Sequence, residues 1–333
     1  MFKTMKQLFT HNNKDLRHRI YFTLAALVIF ILGISIRVPG TEDLGTNLGF
    51  LELLNTMGGG ALKNFSIFAL GVMPYITASI IMQLLQMDVI PYFTELSKQG
   101  HSGRQKLNQI TRYIGILFAF IEGYAFAFAF IGKSGDPMQY LYIATVLTAG
   151  TSFLLWLGDQ ITIKGVGNGT SLLIFTGIVA NLPNSFISSF KSMVTFGSAY
   201  KTATSLAWYI LFVIVYLAIV VFVVFEEGAI RKIPIIYATN TQTVMHTKES
   251  TNLPIKINSS SVIPVIFAAS VLAAPRTIIS FMKSTSTTQM IDNILNYQKP
   301  IGFVLYIVMI ILFTFFYSNL QIDAKKISED LKK

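Results

Sequence analysis

Residues 66–87 read SIFALGVMPYITASIIMQLLQM, 22 positions without a charged side chain. A helix crosses the hydrocarbon core of a bilayer with about 20 mostly apolar residues, so this stretch predicts a membrane span. Working outward, the same reading finds seven more. Residues 20–36 lie between Arg19 and Arg37, and residues 140–157, 205–225 and 300–320 are uncharged. Residues 113–131 carry one charge, Glu122. Residues 166–190 are uncharged but contain Gly167, Gly169, Gly177 and Pro183. Residues 257–274 are the weakest span, with Asn258, Ser259, Ser260 and Ser261 at its start and Pro264 soon after. Eight spans predict an all-α polytopic membrane protein.

Composition agrees. Hydrophobic residues make up 53% of the chain and charged residues 13%, whereas a soluble domain carries about a quarter charged residues. There is no cysteine, which excludes disulfides and thiolate metal sites. His11, His18, His101 and His246 lack metal-ligand spacing, so no metal or cofactor is expected. The net charge of +10 sits between apolar segments rather than on one soluble face, which argues against nucleic acid. Arg37, Val38 and Pro39 follow the first span in place of a small-residue cleavage site, so that span is expected to stay. With a cytoplasmic N-terminus, 18 of the 26 Lys and Arg residues fall in cytoplasmic segments. The positive-inside rule then places both Met1 and Lys333 in the cytoplasm.

Three features distinguish the chain from a passive anchor. Leu44 to Asn64 is too polar to cross and too apolar for a simple loop; it contains LGFLELLNT and then Gly58, Gly59 and Gly60. It reads equally as a movable stopper on a glycine hinge or as an interfacial turn. Several spans mix Gly, Pro, Ser and Thr into apolar sequence, which fits a packed bundle as well as a conduit. Val72 and Ile76, and likewise Ile174 and Ile178, lie four apart and share a helix face, a spacing that ordinary packing also produces. Catalysis is not expected. The spans hold no His or Asp for an intramembrane protease, and the chain has no nucleotide motif. A secondary transporter would need a coupling site, and Glu122 has no basic partner within the spans, so it is expected to face a polar interface.

Four longer stretches carry a resemblance: GGGALKNFSIFALGVMPYITASIIMQLLQMD (58–88), LTAGTSFLLWLGDQITIKGVGNGTSLLIFTGIVA (147–180), IRKIPIIYA (230–238) and LPIKINSSSVIPVIFAASVL (253–272). With these the chain resembles the bacterial SecY family of protein-translocation channels. The resemblance implies an hourglass of helices in the bacterial inner membrane, passing unfolded secretory polypeptides across it. By motif position, Val72, Ile76, Ile174, Ile178 and Ile266 match an aliphatic pore ring. Residues 43–65 match a re-entrant plug, including Leu51, Leu54, Asn55, Gly58, Gly59 and Gly60. The second and seventh spans match a lateral gate that releases signal and transmembrane helices into lipid. Thr77, Ser79 and Gln83 on one side, and Asn258, Ser259, Ser260 and Ser261 on the other, are candidates to hydrogen-bond across it. Residues 94–112 of the cytoplasmic loop 88–112, and the loop 226–256, match docking sites for the ribosome or the motor ATPase SecA, with Lys98, Arg104, Lys106, Arg112, Arg231 and Lys232 as the basic contacts. SecE-like and SecG-like small subunits are the implied membrane partners.

The resemblance has two departures. Thr239, Asn240, Thr241 and Gln242 follow RKIPIIYA where the family carries further basic residues, so the loop tip is less positive. The family has ten spans in two five-span halves. Here residues 1–190 supply spans one to five and residues 191–333 only three more, so a fragment of a full channel is expected.

Overall fold

Gly71 adopts a φ of +57°, and there the uncharged stretch at 66–87 divides. The computed structural model describes residues 14–41, 55, 58–86, 89–131, 136–234, 252–281 and 285–321. Residues 58–72 run as successive turns, and the helix that follows, α2, is Met73–Leu85, 13 residues long. Pro74 sits in its first turn, where a missing N–H costs nothing and a fixed φ favours the start. The expected second span is therefore a short helix preceded by a turned segment. The left-handed backbone at Gly71, which glycine adopts without steric cost, ends the turns.

The other helices are α1 (Lys14–Ser35), α3 (Pro91–Lys98), α4 (Gly100–Ile131), α5 (Pro137–Lys164), α6 (Gly169–Met193), α7 (Ala199–Glu227), α8 (Ile263–Phe281), α9 (Ser286–Leu295) and α10 (Pro300–Gln321). Six of them, α1, α4, α5, α6, α7 and α10, are long and apolar enough to cross a membrane; α2 and the apolar start of α8 are shorter. The serines expected to open the seventh span precede its helix. Asn258 and Ser259 to Ser261 lie in a bend and turn, with Ser261 at a φ of +51°. Residues 94–112, expected as a loop, are helical instead: α3 ends at Lys98 and α4 continues outward from the apolar span to Gly100. The segment after α7 forms the one sheet among the described residues, β1 (Ile230–Pro234) antiparallel to β2 (Asn252–Lys256), with Arg231 opposite Ile255 and Lys232 opposite Pro254.

The chain forms two compact units. The first comprises residues 1–185 and 270–303. Its core joins α1, α2, α5 and α6 through Ala26, Phe30, Ile34, Phe68, Val72, Leu154, Leu157, Ile161 and Leu173. Close backbone approach makes this packing possible. A Cβ on Gly169 would sit 1.9 Å from the Gly158 carbonyl oxygen, so only glycine lets α6 start against α5. The Thr23 hydroxyl of α1 accepts the Val166 N–H at 3.0 Å and ties α1 to the turn between α5 and α6. In α8 and α9, Arg276 is buried and donates from Nε to Asp292 at 2.8 Å.

The second unit comprises residues 186–269 and 304–333. Edge-to-face ring pairs Phe186–Tyr216 and Phe190–Tyr209 join the end of α6 to α7, and Phe267 packs on Phe313 at 4.3 Å. Helix α7 is exposed along its apolar length, from Ile210 to Phe225. Such a surface suits lipid rather than water.

Candidate functional site

The segment before α2 is pinned at both ends. Asn55 is buried; its side-chain oxygen accepts the Lys63 N–H at 2.8 Å and its carbonyl accepts the Gly60 N–H at 2.8 Å. At the other end Val38 N–H donates to the Phe65 carbonyl at 2.9 Å and Ile67 N–H to the Ile36 carbonyl at 3.0 Å, so the end of α1 holds residues 65–67. Between these anchors Gly59 has a φ of +71°, and a Cβ there would lie 3.0 Å from both the Gly177 carbonyl oxygen and Ile34 Cδ1. Gly59 is thus seated directly on the backbone of α6 at Gly177. Leu51 and Leu54 lie outside the described residues, as does the loop tip at 239–247.

Beside this segment is a small cavity, with about 40 Å³ of room for water centres. Gly58, Leu62, Val72, Glu122, Leu173 and Ile174 are among its lining residues. Val72 is buried at the start of α2, and Ile76 and Ile174 pack onto the same apolar cluster. Three of the five expected ring residues therefore come together in the first unit. Ile178 is half-buried one turn beyond Ile174, and Ile266 is buried in the part of α8 that belongs to the second unit. Spacing put the residues of each pair on a shared face but did not mark Leu62 and Leu173, which also line the cavity. No period marks Leu62, because it stands in turns.

Glu122 does not meet the expected polar interface. Apart from it, the cavity's side chains are apolar, and among the described residues its carboxyl has neither a hydrogen-bond donor nor an ion-pair partner. Glu122 is half-buried, and the adjacent Gly123 lets α4 approach Ala144 of α5 closely.

The polar residues before α8 are engaged within their own unit. Asn258 donates to Glu226 at 3.3 Å, Ser259 and Ser318 share a hydrogen bond at 3.2 Å, and buried Ser260 donates to the Thr314 carbonyl at 3.1 Å. Asn258 also accepts the Ser261 N–H at 3.0 Å. On α2, the Thr77 hydroxyl donates back to the Met73 carbonyl at 3.2 Å, Ser79 is half-buried and Gln83 is exposed. These bonds join α7, α8 and α10 and are the helix-packing use that sequence left open. Sequence could not assign them because Glu226, Thr314 and Ser318 lie far away in the chain.

Among the basic residues, Lys98, Arg104 and Lys106 are exposed at the outer ends of α3 and α4, and Arg231 and Lys232 are exposed on β1. Arg112 is different: it forms an ion pair with Asp159 across α4 and α5, so part of its charge is already answered.

The SecY family profile matches residues 66–333. The protein translocase subunit SecY of Staphylococcus carnosus is 47% identical over 347 residues, covering all of this chain and 79% of that protein. The same subunit from Staphylococcus epidermidis is 48% identical over 349 residues with the same coverage. The chain belongs to the SecY family. The fold agrees: a solved protein-conducting channel superposes with a TM-score of 0.65 at 20% identity, over 90% of this chain and 71% of that one. Sec61 from the canine ribosome–channel complex of the endoplasmic reticulum superposes with a TM-score of 0.57 at 21% identity, over 80% of this chain and 59% of that one. Membership in the SecY family makes this a multi-pass membrane protein.

Proposed function

We propose that this chain is the central pore-forming subunit of a protein-conducting channel. It passes unfolded secretory polypeptides across the bacterial inner membrane and releases signal and transmembrane helices through a gate between its second and seventh spans, α2 and α8. Membership in a family of protein translocase subunits supports the activity. The observation that carries the mechanism is the junction in the first unit, where residues 58–65, Val72 and Ile174 meet around one small apolar cavity.

The physics of that junction suits a conduit. Branched apolar side chains make a narrow neck that water and ions wet poorly. They also offer no directional bonds to a passing chain, so no sequence is held. Residues 43–65 act as the plug, seated through Gly59 on α6 in the closed state. Val72, Ile76, Ile174, Ile178 and Ile266 form the ring that closes around the chain in transit. Polar contacts on the gate helices are worth only about 0.6 kcal/mol each in membranes, so a signal helix can replace them.

The chain supplies a passage and the energy comes from elsewhere, so it is not an enzyme. The ribosome is a fitting partner, since related structures include a ribosome–channel complex. SecA would use the same exposed basic residues, Lys98, Arg104 and Lys106 in the first unit and Arg231 and Lys232 in the second. SecE-like and SecG-like subunits complete the assembly, with both Met1 and Lys333 on the cytoplasmic side. The two halves divide near residue 190.

The test is a photo-crosslinking side chain placed in turn at Val72 and Ile174, with a secretory chain stalled in transit. Crosslinks from both positions are expected. Crosslinks from neither would overturn the ring.

A further inference from the structure

Helix α9, Ser286–Leu295, presents its apolar side away from the protein. Met290, Ile291 and Ile294 stand three, four and seven residues after Thr287 and share one helix face with it. A helix packed beside water buries such a stripe. Here Met290 is 65% exposed and Ile291 41% exposed. The side turned to the protein carries buried Thr288, and Asp292, which accepts from the buried Arg276 of α8 at 2.8 Å. The helix is fastened at both ends. Thr285 N–H donates to the Thr288 hydroxyl at 2.8 Å and closes the first turn. Past the last turn, the Asn296 carbonyl accepts the Lys299 N–H at 2.9 Å and lies so near Gly302 of α10 that a Cβ there has no room. Four residues separate α9 from α8 and four separate it from α10, so its ends stand within about 18 Å of those helices.

We infer that the face of α9 formed by Thr287, Met290, Ile291 and Ile294 is a lipid-docking surface, lying in the headgroup boundary of the bilayer. Its occupant is a phospholipid leaflet, the outer one in the orientation that the loop charges favour. Three observations favour lipid over a protein partner. The exposed stripe is continued along the chain by exposed Ile301 and Phe303 at the start of α10, a helix apolar enough to cross the membrane. The short connections hold α9 at the level where the neighbouring helices end. The inward side is the polar one, so the helix is built to pack on protein through Asp292 and to leave its apolar side for an apolar medium. Exposed Ser286, Gln289 and Asn293 carry no charge, so binding comes from apolar burial and needs no anionic lipid. The Arg276–Asp292 pair then ties the depth of α8 to a helix resting in the leaflet. This surface needs only a chain that spans a bilayer and is independent of the conduit.

The experiment uses the full-length protein with its partner subunits in phosphatidylcholine liposomes. These 333 residues contain no cysteine, and any cysteine elsewhere in the protein is replaced by serine. Gln289→Cys, Met290→Cys, Ile291→Cys and Asn293→Cys are made singly and labelled with a nitroxide. Power saturation is read with oxygen, which partitions into lipid, and with a nickel chelate, which stays in water. Labels at 290 and 291 should favour oxygen and report a depth of about 5–10 Å below the headgroup surface. Labels at 289 and 293 should favour the chelate. Chelate collisions as frequent at 290 and 291 as at 293 would put the face in water and overturn the surface. Few collisions with either reagent at 290 and 291 would mean a protein cover and overturn it equally. Oxygen preferred at all four positions would overturn a one-sided helix. Monodisperse elution with the partner subunits shows that each labelled protein is folded. Where a label prevents this, Met290→Trp with brominated lipid replaces it, and indole fluorescence unquenched by the bromine would sink the surface. An unaltered channel that moves no client, with this depth pattern in place, overturns the conduit and leaves the surface standing.

Discussion

Gly59 stands where no side chain fits. Its φ of +71° and its seat 3.0 Å from the Gly177 carbonyl oxygen and Ile34 Cδ1 exclude a Cβ twice over, by conformation and by contact. Gly59→Val should unseat residues 58–65 from α6 and raise the ion conductance of the resting channel in planar bilayers. Conductance equal to the unaltered channel would remove this contact from the seal. Ser260 offers a contrasting case: its hydroxyl bonds the Thr314 carbonyl at 3.1 Å and nothing else depends on it. Ser260→Ala should lower thermal stability in detergent by only about 0.6 kcal/mol, the usual worth of such bonds in membranes. Thr151 is fully buried on α5 with a hydroxyl that has no hydrogen-bond partner among the described residues. Thr151→Val should be neutral or stabilising by about 1 kcal/mol in the same melt, because it removes an unsatisfied polar group and keeps the branched shape. A clear loss there would mean that the hydroxyl is satisfied in the membrane.

At the scale of elements, two contacts decide how the first unit assembles. The start of α6 lies on α5 through Gly169 and Gly158, with no room for a methyl group. Gly169→Ala should separate the two helices and destabilise the protein by about 1–3 kcal/mol, read as a lower melting temperature in detergent. The β1–β2 ribbon after α7 carries Arg231 and Lys232, both exposed. Reversing both to Glu should weaken binding of ribosomes or of the motor to membrane vesicles, most clearly at low salt, because exposed charges are screened within about 10 Å at 0.1 M ionic strength. Binding that ignores both the substitution and the salt would place the docking surface elsewhere. Arg112 belongs to a different class. Its partner Asp159 makes it a brace between α4 and α5, a role that loop composition concealed because residues 94–112 read as a loop and are helical.

As a whole molecule, the chain is a multi-pass helical membrane protein of the SecY family. Much of this was legible in the chain. Uncharged runs of about 20 residues mark spans without any knowledge of neighbours, since the bilayer imposes the length. The pairs Val72 and Ile76, and Ile174 and Ile178, were visible as shared faces because helical period is local. What remained hidden depended on partners distant in sequence. The second span is short because the backbone turns at Gly71 and the preceding residues are fastened to the end of α1. The serines before α8 bind α10, and Glu122 meets an apolar wall rather than a polar one.

The sequence by itself thus determined a polytopic helical membrane protein and its approximate spans. Hydropathy and period are summed along one chain and need no third dimension. Only the tertiary structure decided that Gly59 rests on Gly177, that Val72 and Ile174 share a cavity with Glu122, and which polar groups answer one another. Each of those facts is a distance between segments brought together by packing, and no local pattern encodes it.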